Sequence, residues 1–260
     1  MSFLRHLNLD TVLGSLGSAL LACQIVGVSM HWSWWGALSL SVFGIYSLDR
    51  VLDAKEDSHS ARHRFHYTHR HLFLLLSLVG FTCVFILAIL FFSKPLLFAS
   101  LCLGLFALLH VAIARFRWYG FIKEIVIAFL YTGGIFLGPL LSMQSRSIPF
   151  GAIVYFFGIV LLSLWCYTYL DDVVDRLDSL PSLSFWIGAK RVRFLGLCLW
   201  FSLILVGLLC SYRGLLLMAV CTGGMLCFSS RFRISDRYRI YGEFVFIIPL
   251  GIKLIHRSIS

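Results

Sequence analysis

Aspartates are the residues best placed to do chemistry in this sequence, because acids are scarce and clustered. The chain of 260 residues holds twelve acidic residues. Asp49, Asp53, Glu56 and Asp57 close one long apolar run, and Asp171, Asp172, Asp175 and Asp178 close another. Asp49 and Asp53 stand four residues apart, as do Asp171 and Asp175, so on a helix each pair projects from one face. Like charges at that spacing repel, and beside lipid they are costly unless a cation sits between them. Hard divalent cations such as Mg2+ prefer carboxylate oxygens and often share them with phosphate. Two facing pairs would clamp a diphosphate through Mg2+. The plainer reading is a pair of solvated helix ends, with Arg50 and Arg176 as counter-ions.

The elements that must position these acids are apolar. The sequence is 60% hydrophobic and 13% charged, and its mean hydropathy is +0.90. A soluble domain is about a quarter charged, so a water-soluble globule and a disordered chain are both excluded. The class is an all-α, polytopic integral membrane protein. Nine candidate spans are expected, at about 11–30, 32–48, 72–93, 95–114, 121–142, 148–170, 194–212, 214–230 and 240–256. The first is kept as a membrane helix rather than a cleaved leader. Trp32, Trp34 and Trp35 open the second like an interfacial belt.

Charge orients the spans. The linkers after spans 2, 4, 6 and 8, counted with Lys123 at the start of span 5, hold sixteen basic residues, whereas those after spans 3, 5 and 7 hold one each. The positive-inside rule then puts the N-terminus and the long even loops in the cytoplasm. It also accounts for the net charge of +10 without nucleic acid. Localisation is expected to be a bacterial inner membrane. The eight cysteines lie in or beside apolar runs with no C-x-x-C pair, so they read as packing residues.

The two acidic clusters echo each other. Asp49-Arg50-Val51-Leu52-Asp53 resembles Asp175-Arg176-Leu177-Asp178, one residue shorter. The expected organisation is one domain over 1–260, built of two pseudo-repeated halves, roughly 1–120 and 121–260.

With these motifs the sequence resembles the UbiA superfamily of intramembrane prenyltransferases. That family has nine helices around a central cavity opening near the cytoplasmic face, with aspartate motifs ending helices 2 and 6. Its first motif, N-x-x-x-D-x-x-x-D, is matched at Asp49, Arg50 and Asp53. Its second, D-x-x-x-D, is matched at Tyr167, Asp171, Asp175 and Gly188. Trp118-Tyr119-Gly120 and Glu124 resemble the entry to helix 5 in quinone-pathway members. One position departs: the leading Asn falls at Ile45, which cannot ligate metal.

The resemblance implies Mg2+-dependent transfer of a prenyl group from a polyprenyl diphosphate to an aromatic, quinone-precursor-like or other lipophilic acceptor, releasing diphosphate. Membrane lipid is the remaining partner. Asp49, Asp53, Asp171 and Asp175 would hold the metals, with Asp57 and Asp172 in reserve. Arg50, Arg62, Arg64 and Lys123 would meet the diphosphate. Tyr167, with Tyr46, Tyr131 and Tyr169, would wall off the allylic cation. The His-rich stretch 59–71 would cap the site, bind lipid headgroups or hold zinc. His110 reads as a packing residue. The basic loop ending at Arg239 is explained by topology, and Glu243 by a helix cap or an Arg pair. Gly14 and Gly17 suit close helix packing, and Gly133, Gly134, Gly138 and Pro139 mark a possible break in span 5. The competing readings are a non-catalytic lipid-binding member of the same fold, favoured by Ile45, and a small-molecule transporter.

Overall fold

The computed structural model describes residues 8–54, 56–59, 61–114, 116–143, 147–210, 213–229 and 237–259. Among these every regular element is helical. The long helices are α1 (Leu9–Val26), α2 (Trp32–Asp53), α4 (Arg70–Phe91), α5 (Lys94–Ile113), α6 (Lys123–Leu141), α7 (Phe150–Leu177), α9 (Ala189–Cys210), α10 (Arg213–Cys227) and α11 (Arg237–Ile259). Two short ones, α3 (Ala61–Thr68) and α8 (Leu183–Ile187), and a 3-10 turn at Arg117–Phe121 lie in the connections.

Each expected apolar run is a helix. Six of them, α1, α4, α5, α6, α7 and α9, are long and apolar enough to cross a membrane. The expectation of nine spans is met to that extent. α10 has only 15 residues. α2 is diluted by Trp, Ser and Tyr and ends in charges, and α11 carries charges in its first turns. The chain is an integral membrane protein on two grounds: these helices and the apolar surface they expose. Leu105 and Phe98 are each 71% exposed and Leu209 is 76% exposed. Water would not tolerate so continuous an apolar belt.

α1 and α7 are the most enclosed spans, while α4, α5 and α9 turn most of their surface outward. The bundle runs from α1 to α2 and α4 on one side. On the other, α5, α6, α7, α10 and α11 follow, and α11 packs back onto α1. α1 stops at Gly27, whose φ of 75° lets its N–H close back on Cys23 O. The α1–α11 contact depends on Gly17, where a Cβ would stand 2.3 Å from the Phe246 carbonyl oxygen.

Two expectations are corrected here. α2 continues past 48 to Asp53 and α7 past 170 to Leu177, because nothing after either apolar run breaks the helix. The acidic pairs therefore stand on the last turns of regular helices. α6 is unbroken from Lys123 to Leu141 despite Pro139. Its glycines admit neighbours instead: a Cβ on Gly138 would lie 2.2 Å from Trp34 Nε1.

Candidate active site

α2 and α7 bring their acids to one cavity of about 650 Å3. Asp49, Asp53, Asp171 and Asp175 all line it. Within each pair the four-residue spacing puts both carboxylates on the cavity side of the helix. Arg50, Lys123 and Tyr167 line it too, so seven of the eight residues singled out as metal-binding or catalytic share its wall. Arg64 does not reach it. Its guanidinium donates to the Ser58 carbonyl at 2.6 Å and braces the connection after α2.

The remaining expected residues separate by direction. Tyr46 and Tyr131 line the cavity, whereas Tyr169 is buried in the helix core near Arg193. Positions 167 and 169 are about 200° apart on a helix, so one facing inward turns the other away. Asp172 pairs with Arg176 at 2.9 Å off the cavity wall, and Asp57 is exposed. Arg62 lies outside the described side chains. His110 accepts or donates one hydrogen bond to Tyr119 Oη at 2.7 Å.

Below the acids the walls turn apolar, with Leu38, Val42, Phe81, Val84, Leu103 and Leu137 among them. Phe85, Leu101, Leu105 and Leu108 line the cavity and are also exposed on the outside. They belong to α4 and α5, which scarcely touch although they are consecutive. The cavity is thus open sideways between these two helices.

The last helix supplies what the sequence reading missed. Arg239 lines the cavity and donates from Nη2 to Asp171 Oδ2 at 2.5 Å. Tyr238 Oη donates to the other oxygen, Asp171 Oδ1, and accepts from Arg239 Nε at 3.2 Å. Topology does not exhaust the role of that basic stretch. Glu243, one turn further, also lines the cavity, as do Asp10 and Thr11 of α1. An acid inside an apolar run was the available signal.

The connections that follow α2 and α7 are fastened to each other by Asp178. Ser58 Oγ donates to its Oδ2 at 2.5 Å and the His59 N–H to its Oδ1 at 2.9 Å. His59 Nδ1 lies 3.0 Å from Oδ1 and His63 Nδ1 lies 3.5 Å from Oδ2. Burial by itself would raise the Asp178 pKa, but these hydrogen bonds outweigh it and hold it at about 2. Burial, then the nearby Arg50 and Arg239 charges, lower His63 to about 4. His63 faces the cavity as part of its cap, and His66 is buried against Phe73. Glu124 accepts from Thr168 Oγ1 at 3.0 Å and from the Leu183 N–H at 3.1 Å, so it ties α6 to α7 and α8.

The donor set fits a hard cation with an anionic ligand. The cavity offers two pairs of carboxylates on separate helices. The Nε of Arg50 is buried on it without a hydrogen-bond partner. Among the described residues no three His, Cys, Asp or Glu side chains converge as a metal cage, in the His-rich stretch or at the aspartates. Mg2+ does not need such a cage, because it is held by one or two carboxylates together with water and substrate phosphates.

No protein-family model matches the chain, and no curated sequence is similar enough to match. Solved structures do match. A UbiA homolog from Aeropyrum pernix K1 in its apo form is 17% identical, with a TM-score of 0.70 over 95% of this chain and 98% of its own. A UbiA homolog from Archaeoglobus fulgidus bound to GPP and Mg2+ is 12% identical, with a TM-score of 0.63 over 97% of this chain and 99% of its own. The Archaeoglobus homolog bound to DMAPP and Mg2+ is 11% identical, with a TM-score of 0.60 over the same shares. The chain therefore has the fold of the UbiA homologs, along essentially its whole length.

Proposed function

We propose that this chain is a UbiA-superfamily prenyltransferase that moves a prenyl group from a polyprenyl diphosphate to an aromatic acceptor, with Mg2+ as cofactor. One observation carries the reading: both aspartate pairs and three cations, Arg50, Lys123 and Arg239, line one cavity that also has a large apolar wall. The fold relatives bound to GPP or DMAPP with Mg2+ support it.

Asp49, Asp53, Asp171 and Asp175 would hold the metal. When bound, Mg2+ supplies charge neutralisation for the departing diphosphate. Arg50 and Lys123 provide fixed positive charge at the same mouth, and the unpartnered Arg50 Nε is a donor waiting for an anion. Tyr46, Tyr131 and Tyr167 form the wall one turn deeper, where ring faces stabilise an allylic cation and exclude water. The apolar depth takes the prenyl tail. In the proposed orientation the N-terminus and the aspartates face the cytoplasm.

The test is diphosphate release by purified protein in detergent with Mg2+, geranyl diphosphate and a panel of aromatic acceptors. Release is expected only with Mg2+, and Asp49→Asn and Asp171→Asn are each expected to lower it at least a hundredfold. Mg2+-dependent donor binding without release under any acceptor would instead favour the binding-protein reading that Ile45 motivates. Absence of both in folded protein would sink the assignment.

A further inference from the structure

The polar residues on the cavity wall fall into two layers. The outer layer is the aspartates with Arg50, Lys123 and Arg239. One helical turn below lies a second layer set by register. Tyr46 precedes Asp49 by three residues, Tyr167 precedes Asp171 by four, and Glu243 follows Arg239 by four. Thr11 of α1 and Tyr131 of α6 complete it.

Glu243 is the anion of this layer, and the fold is built around it. Thr11 Oγ1 donates to Glu243 Oε1 at 3.3 Å. Gly14 leaves room for the other oxygen, since a Cβ there would stand 3.1 Å from Oε2. Tyr46, Tyr131 and Tyr167 all lie within electrostatic range of the carboxylate. Tyr167 fills the gap left by Gly242, next to Glu243, and its Oη is buried there. Asp10, on the same wall of α1, adds a second negative charge. The cavity's cations belong to the outer layer, where the aspartates and the donor engage them, although Arg50 lies within electrostatic range of Tyr46 and Arg239 stands 5.9 Å from the Tyr167 ring.

We propose that Glu243 is the acceptor-side base, and that its layer selects a neutral phenolic acceptor and rejects one bearing a carboxylate. This rests on the prenyltransferase reading and names the acceptor class for the same cavity. An acidic layer offers hydrogen-bond acceptance to a phenol, whereas a carboxylate meets like charge and a desolvation cost that neutral hydroxyl donors only partly offset. In the reaction the phenol O–H proton passes to the Glu243 carboxylate. The electron pair released through the ring forms the bond from a ring carbon to the allylic carbon. The allylic carbon–oxygen bond breaks with its pair kept by diphosphate. The resulting dienone becomes a phenol again as the proton on the attacked ring carbon passes to the released diphosphate and Glu243 returns its proton to the oxygen.

The experiment compares 4-hydroxybenzoate with its methyl ester, the same ring with and without the charge, using geranyl diphosphate and Mg2+. Donor affinity is measured separately by equilibrium binding. The wild type is expected to prefer the ester at least tenfold in kcat/KM. Glu243→Gln is expected to lower kcat with the ester about a hundredfold, leave the donor Kd within twofold, and narrow the ester-to-acid ratio. Glu243→Asp is expected to recover part of kcat. Preference for the acid overturns the proposal, as does unchanged kcat in Glu243→Gln, loss of donor binding in that variant, or donor binding with no turnover of either ring. Failure of the wild type to bind donor with Mg2+ overturns the underlying reading instead.

Discussion

At the scale of residues, direction separates site from surroundings. Asp171 and Asp172 are neighbours, yet Asp171 faces the cavity and Asp172 pairs outward with Arg176. An exposed pair four residues apart on a helix is worth a few tenths of a kcal/mol, roughly 0.3–0.5. Asp172→Asn is therefore expected to keep diphosphate release within twofold of wild type, against the large loss in Asp171→Asn. Arg239→Gln removes both a cavity cation and the partner of Asp171. Its Kd for geranyl diphosphate should rise about tenfold, ~1.4 kcal/mol, as read by equilibrium binding. The aspartate pairs were legible because acids are rare in this sequence and their spacing matches a helical face. Arg239 was not, because positive-inside sorting already accounts for a basic stretch. Its partner Asp171 is 68 residues away in sequence. Arg64 looked equally suitable by composition, but a loop carbonyl takes its guanidinium.

At the scale of elements, nine apolar runs gave nine helices among the described residues, and the errors were at their ends and in the break expected within α6. Apolarity marks where a helix meets lipid, whereas helix geometry persists until a cap or breaker stops it. That is why α2 and α7 outlast their apolar runs and carry the acids on regular turns. The contact of α1 with α11 sets a test of packing. Gly17→Val would push a side chain into the α11 backbone, where a Cβ already stands 2.3 Å from Phe246 O. The expected cost is about 1–3 kcal/mol or more, seen as a lower Tm in detergent. The connection after α2 has its own pH dependence. His63 is held at about 4, below its ordinary ~6.5, so the folded form disfavours its proton. The stability this gives is complete above pH ~6.5 and is lost as pH falls toward 4. Asp178, held at about 2, contributes above its ordinary ~3.9 and loses its share only below that. Amide exchange over residues 61–68, corrected for intrinsic rate, should accelerate between pH 6.5 and 4. His63→Asn should flatten that change.

At the scale of the whole molecule, composition, charge asymmetry and two spaced motifs were enough to anticipate a membrane bundle with one polar-mouthed cavity. They did not reveal the second, acidic layer of that cavity. It is assembled from α1, α2, α6, α7 and α11, and no local pattern announces such a meeting. The orientation is open to a direct check. A protease site inserted after His59, in right-side-out vesicles, should resist external protease and be cut once the membrane is permeabilised.

The sideways opening between α4 and α5 has a consequence for kinetics. A tail longer than the cavity can trail into the surrounding lipid, so rate should change little as the donor grows beyond the length the cavity encloses. Neither the donor nor a lipophilic product needs to pass through water. The concentration that governs turnover is then the two-dimensional one, the mole fraction of donor among amphiphiles. Diluting the assay with buffer at fixed donor-to-lipid ratio should leave turnover per protein nearly constant. Diluting with detergent or lipid at fixed volume should slow it.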